Sequence, residues 1–229
     1  MRRVLFFILV FCVLCSTFSL SQNYKQDLVK MNEALKKLDK FHGEIVIRTF
    51  EEHNSINPVD EKKASVKIEN GNYLSVYDGF IFLSNKSSVL FIDKSEKSIT
   101  VSVNNQTMNN SVYNGMNFNP DSLVRMADSV IFRKKNTDFI QYSVYSSKSV
   151  IKRTELFIDT KTMLVKKLIY YYDNKMFSKN NKVIIEFTLL NTAPAFDTGT
   201  FSENKFILYK QDKIVPSSNY SDYKVFINN

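Results

Sequence analysis

Few side chains in this 229-residue sequence are of a type and spacing that could do chemistry. The two histidines, His42 and His53, stand apart, and neither belongs to an H-x-x-x-H or D-x-D pattern of the kind that collects metal ligands. Glu51-Glu52 and Asp60-Glu61 pair carboxylates, as acid–base hydrolysis requires. Both pairs sit in the polar stretch EEHNSINPVDEKK and read as a solvated loop. Asp93 and Asp159 recur in an internal echo, FIDKSEKSITV and FIDTKTMLVKK, where an Asp after a strand bonds the backbone of the turn that follows. There is no G-x-S-x-G elbow for a nucleophilic serine, and five scattered glycines do not make a phosphate-cradling loop. The sequence therefore reads as non-enzymatic, with no cofactor and no metal.

The cysteines add no chemistry. Cys12 and Cys15 lie in an apolar run from Val4 to Cys15 that follows Met1-Arg2-Arg3 and precedes Ser19-Leu20-Ser21. A basic start, a short apolar stretch and a small-x-small site describe an export signal over 1–21, with the mature chain beginning at Gln22. As a helix the apolar run would reach only about 18 Å, too short for a bilayer core of ~30 Å. Phe11 and Leu14 precede the two cysteines, where a lipidation signal needs a small residue. The exported chain then has no disulfide and must be held by its core.

The elements that would build that core are visible as periodicities. Leu28, Met31, Leu35, Leu38 and Phe41 form one apolar stripe, which predicts an amphipathic helix from Tyr24 to Lys40 that the chain leaves at Gly43. The period then switches to two, in Ala64/Val66/Ile68, Ile99/Val101/Val103, Ile140/Tyr142/Val144 and Val183/Ile185/Phe187. Strands with one wet and one dry face imply an antiparallel sheet, with a hairpin turn at Asn70-Gly71. Residues 104–120 read as a loop, and Asn119-Pro120-Asp121 as the start of a short second helix, Ser122 to Asp128, with Leu123 and Met126 facing inward. No linker interrupts 22–229, which reads as one domain. Net charge is +8, spread along the chain, as on a solubilising surface and with no nucleic-acid-binding motif.

Several stretches carry a resemblance to a known family. LVKMNEALKKLDKFHGEIVIRT is similar to the opening helix and first strand of the periplasmic outer-membrane lipoprotein carrier superfamily (LolA/LolB-like). NYLSVYDGFIFLSNKSSVLFIDKSEKSITVSV resembles its central strand block, with Asp78-Gly79 at the expected turn. NPDSLVRM resembles its mid-chain helix and ELFIDTKTMLVKKLIYYYD its later hairpin. KKASVKIENGNYLSV lacks the Arg-Pro and Trp usual before the D-G strand, so the family's functional arginine carries over to no residue here.

The resemblance implies an α+β, mostly β fold: a single, strongly curved antiparallel sheet, an open half-barrel of about eleven strands, with helices over its concave face. It implies a periplasmic carrier in a Gram-negative cell that binds the acyl chains of lipoproteins or lipids between sheet and lid. Its partners would be an acylated lipoprotein or lipid and a membrane-associated donor or acceptor protein, and the chain itself would be a monomer. The alternative is an envelope sensor or assembly module that uses the same scaffold to bind a protein. Alternation places Ile45, Ile47, Val66, Ile68, Leu74, Val76, Phe80, Phe82, Val101, Ile140, Tyr142, Leu156, Ile158 and Val183 on the inner face. Leu35, Leu38, Leu123 and Met126 are placed on the lid.

Overall fold

The computed structural model describes residues 24–103, 127–173, 181–211 and 213–228. The expected leader, the 104–120 loop, and Leu123 and Met126 of the second helix lie outside them. Ala127 and Asp128 are not helical; Asp128 N–H already donates to Tyr145 O at 2.8 Å, at the entry to a strand.

Helix α1 covers 24–36. Its buried residues are Tyr24, Asp27, Leu28 and Met31, one face at helical spacing. The helix stops before the expected Lys40, because strand β1 (Lys40–Phe50) has begun there. Leu38 thus lies between the elements, and Phe41 is a strand residue. Gly43 is inside β1 as well, not at a helix exit. A Cβ there would meet the Phe41 ring at 2.8 Å and the Phe187 ring at 3.2 Å, so glycine lets two aromatic rings lie on the backbone.

The remaining strands are β2 (Asp60–Glu69), β3 (Asn72–Tyr77), β4 (Phe80–Ser84), β5 (Ser88–Asp93), β6 (Ser98–Val103), β7 (Ser129–Lys135), β8 (Phe139–Tyr145), β9 (Ile151–Asp159), β10 (Val165–Tyr172), β11 (Lys182–Asn191), β12 (Ile207–Lys210), β13 (Lys213–Pro216) and β14 (Lys224–Asn228). Twelve form one sheet in the order β14-β6-β5-β4-β3-β2-β1-β11-β10-β9-β8-β7, and β12 pairs with β13 separately. The sheet is open, with β7 and β14 at its edges. The fold is the expected mostly-β α+β class, with twelve strands in place of about eleven. Strand β14 departs from the antiparallel pattern by running parallel to β6.

Turn chemistry sets the register. Asn70-Gly71 and Asp78-Gly79 all have positive φ, which makes two-residue turns whose twist matches the β2–β3 and β3–β4 hairpins. Asp93 accepts from the N–H groups of Ser95 and Glu96 and from Ser95 Oγ. Asp159 accepts from Lys161 N–H, Thr162 N–H and Thr162 Oγ1. The echo extends to the left-handed residues that close the turns, Lys97 (φ 48) and Met163 (φ 57). Ser95 Oγ, followed by Glu96 N–H, holds the Asp93 carboxyl below its ordinary value.

The chain packs as two compact units. Described residues of the first fall within Met1–Lys37, Arg48–Asp60 and Asn119–Glu186; those of the second fall within Leu38–Ile47, Glu61–Phe118 and Phe187–Asn229. Among the described residues, no helix is long and apolar enough to cross a membrane.

Candidate ligand-binding face

In the first unit, directly opposed residues of β7–β11 fix one apolar face. Phe132 pairs with Tyr142, Tyr142 with Leu156, Leu156 with Leu168 and Leu168 with Ile185. The neighbouring pair Ile140 and Ile158 lies on the same face, as does Val183. Ile140, Tyr142, Leu156 and Ile158 are fully buried, and α1 contributes the cover. The Tyr24 ring meets the Tyr142 ring edge-on at 4.9 Å, and Tyr142 OH donates to Asp27 Oδ2 at 2.8 Å. Burial pushes the Tyr142 hydroxyl far above its ordinary value, and the Asp27 carboxylate adds to the shift. Asp27 is a buried polar residue that the apolar stripe gave no reason to select.

The other face of this unit is mixed: a polar network lies beside the Phe139–Phe157 ring pair. Glu155, itself buried, accepts from Ser143 Oγ at 2.7 Å and Gln141 Nε2 at 3.1 Å, and it pairs with Arg153 Nε at 3.4 Å. Arg153 lies over the Tyr171 ring at 3.7 Å. Glu155 is satisfied by these donors, whereas Arg153 Nε is held by the ion pair and the ring without a hydrogen bond.

The second unit divides its two faces differently. Leu74, Leu83, Leu90 and Val101 are opposed in one row, next to the row Val76, Ile81, Ile92 and Ile99. Phe201, Phe206 and Ile207 from the C-terminal segment join most of these in one buried cluster, with Leu74 and Val225 packed against it. The chain fills this side itself.

On the opposite side, Val66, Ser75, Phe82, Phe91, Thr100 and Phe226 follow one another across successive strands. Ile68 and Tyr73 form part of the next row on one flank, and Tyr77 and Phe80 part of the row on the other. Phe80 stacks on Phe91 at 5.5 Å, and Tyr73 lies 5.8 Å from Phe82. Glu44 accepts from Ser65 Oγ, on the cluster side, so alternation turns Ile45 and Ile47 to the aromatic side. Val66 and Tyr73 are buried here, but Phe91 keeps 43% of its surface exposed and Phe226 keeps 53%.

The expected site residues therefore separate. Ile140, Tyr142, Leu156, Ile158 and Val183 share the apolar face of the first unit. Ile45, Ile47, Val66, Ile68, Phe80 and Phe82 share the aromatic face of the second. Leu74, Val76 and Val101 point the other way, toward the chain's own cluster, which is a one-residue slip in reading these strands. Leu35, placed on the lid, is 37% exposed. Phe91 and Phe226 escaped notice: Phe91 is in a run apolar on both faces, and Phe226 joins the row only through a parallel pairing.

The histidines are structural. His42 Nε2 contacts Glu44 Oε1 at 2.6 Å, and His53 Nε2 contacts Tyr172 O at 3.0 Å. Lys182 donates to His53 O at 2.9 Å and Ser55 O at 2.7 Å, and burial holds its ammonium below the ordinary lysine value. Together they tie the 51–59 loop to β10 and β11. Glu51, Glu52, Asp60 and Glu61 are exposed, but Asp60 and Glu61 open strand β2 and are not in the expected loop. No group of three metal-ligating side chains occurs among the described residues.

A polar groove of ≈ 540 Å³ lies beside the β4–β5 turn, with Asn85, Ser87, Thr198 and Thr200 in its walls. Two of its polar groups hold the chain: Asn85 Nδ2 donates to Phe201 O, and Ser87 Oγ donates to Glu203. Burial raises the Glu203 carboxyl, but its own backbone N–H, Ser87 and Asn85 outweigh that and leave it below the usual value.

No family model matches the sequence, and no curated protein matches it. Solved structures do. The chain is similar to an uncharacterized conserved protein from Thermus thermophilus at 8% identity, over 90% of this chain and 99% of that one, with a TM-score of 0.50. It is similar to a chain of the Pseudomonas aeruginosa MucA/MucB complex at 14% identity, over 77% of this chain and 59% of that one, TM-score 0.44. It is also similar to a LolA superfamily protein from Nitrosomonas europaea at 12% identity, over 78% of this chain and 96% of that one, TM-score 0.34. At 8% identity the likeness to the Thermus thermophilus protein is one of fold alone.

Proposed function

We propose that this protein is a non-catalytic carrier of the cell envelope, exported by its leader, that holds acyl chains of a lipid or lipoprotein on the aromatic face of its second unit. The observation that carries the reading is the pair Phe82 and Phe91, partly open beside Phe80, with Phe226 beyond Thr100 in the same row, on the side of the sheet opposite the self-filled cluster. Exposed aromatic surface of this kind marks an interaction site. An acyl chain gains about 0.8 kcal/mol per buried methylene, so a sixteen-carbon chain stands to gain about 12 kcal/mol from a dry wall. The order of family-like motifs along the sequence supports the same reading.

The test is native mass spectrometry of the protein purified from the periplasm, with a fluorescent sixteen-carbon fatty acid as probe. Retention or uptake of an acylated ligand, reduced at least tenfold by Phe91→Asp, is the expected result. Protein that neither retains nor takes up lipid, but copurifies with one stoichiometric protein, would replace the carrier with the assembly-module reading.

A further inference from the structure

The sheet has two edges, and they are built differently. Strand β7 carries Arg133, Lys134 and Lys135, and its ladder is broken by a bulge between Phe132 and Lys134. Charge and a bulge are the usual defences of an edge against adding another strand. Strand β14 has no bulge and a single charge. Its ladder to β6 is regular over Lys224–Asn228, its only charge is at its first residue, and Phe226 and Ile227 are 53% and 51% exposed.

The hydrogen-bond phase of β14 determines what its free edge offers. Lys224 N–H donates to Lys97 O at 2.9 Å, so Lys224, Phe226 and Asn228 turn their backbone groups toward β6. Alternation leaves the N–H and C=O of Val225 and Ile227 pointing outward. The sequence KVFIN is self-complementary in one antiparallel register. With Phe226 opposite Phe226 of another copy, Val225 faces Ile227 and can exchange both backbone hydrogen bonds with it, while Lys224 faces Asn228. No like charges are opposed, and the central aromatic pair occupies the close, non-hydrogen-bonded position.

We propose that β14 docks antiparallel onto β14 of a second copy of this chain, about a twofold axis at Phe226. Such a contact is isologous, buries both unprotected edges at once and closes without further growth. It places the two Phe226 rings side by side on the aromatic face, so the row Phe82, Phe91, Thr100 and Phe226 of one copy meets that of the other. A five-residue strand pair is a small interface, so the dimer is transient and concentration-dependent. It replaces the expectation of a monomer, and it rests on the edge geometry rather than on any ligand.

The test uses the full chain with Cys12→Ser and Cys15→Ser, which leaves no thiol, and adds single cysteines. Opposed non-hydrogen-bonded residues lie within disulfide reach. Under oxidised glutathione, Phe226→Cys is expected to form covalent dimer at least tenfold faster than the comparably exposed Tyr209→Cys. Ile227→Pro removes an outward N–H that β6 does not use. It is expected to abolish concentration-dependent association in sedimentation velocity while keeping the parent melting temperature. Equal cross-linking at 226 and 209, faster cross-linking of Val225→Cys than of Phe226→Cys, or a sedimentation coefficient independent of concentration would overturn the proposal. If the proline variant unfolds, the cross-linking ratio decides alone.

Discussion

Two apolar sheet faces in this molecule arise from the same strand alternation and have different fates. On β8 and β9 of the first unit, Ile140, Tyr142, Leu156 and Ile158 are sealed, and α1 sets Tyr24 and Asp27 against Tyr142. On β4, β5 and β14 of the second unit, Phe82, Phe91 and Phe226 are equally apolar and stay partly open. Alternation made both faces, but it did not decide which became core. That depended on whether another segment of the chain covers the face. The first face is sealed as core, and the second keeps exposed surface.

Substitutions can break this comparison. Leu156→Ala, at a position with no exposed surface, is expected to cost about 3 kcal/mol in denaturant unfolding. Phe91→Ala should cost about 1 kcal/mol or less, while lowering fatty-acid uptake. Equal losses at the two sites would mean that both faces are core. Tyr142→Phe deprives the buried Asp27 of its 2.8 Å donor and is expected to cost about 1–3 kcal/mol.

The same face predicts a response to alkali. Burial, with Tyr172 adding to it, pushes the Tyr170 hydroxyl up to about 12, and Tyr142 is raised further. A group whose folded pKa is raised stabilises the fold fully below its unfolded value of about 10, and that contribution is lost as pH rises through the folded value. The unfolding midpoint should therefore fall steeply between pH 10 and about 12, and less steeply in Tyr142→Phe.

Smaller effects test the tethers and turns. Lys182→Met removes two ammonium hydrogen bonds to the 51–59 loop and is expected to cost about 1–2 kcal/mol, with faster amide exchange confined to that loop. Met163→Gly and Lys97→Gly relieve left-handed backbone at φ 57 and 48 and should each stabilise by about 0.5 kcal/mol, seen as a slight rise in melting temperature.

Local features were legible because short-range physics dictates them. Asn70-Gly71 and the paired Asp93 and Asp159 each specify a turn whichever units the flanking strands join. Helix α1 was legible in its body and misread at its end. Phe41 continues the helical spacing by coincidence, while Gly43 is held inside β1 by the rings of Phe41 and Phe187. Facing was legible on β8, where Gln141 and Ser143 alternate with Ile140, Tyr142 and Val144. It failed on β3 and β6: in Tyr73-Leu74-Ser75-Val76-Tyr77 both faces carry apolar residues, and on β6 Val101 alternates cleanly without showing which side the chain would fill.

The sequence by itself determined the strand and turn series, the helix that precedes it and the shortage of catalytic groups, because each follows from neighbours a few residues apart. Only the tertiary structure decided that β14 joins β6 in parallel, that Asp27 meets Tyr142, and that the 196–207 segment fills one side of the second unit's sheet and not the other. Those contacts join residues more than a hundred positions apart or choose between two apolar faces. Burial is non-directional, so the side that gets covered depends on where distant parts of the chain arrive.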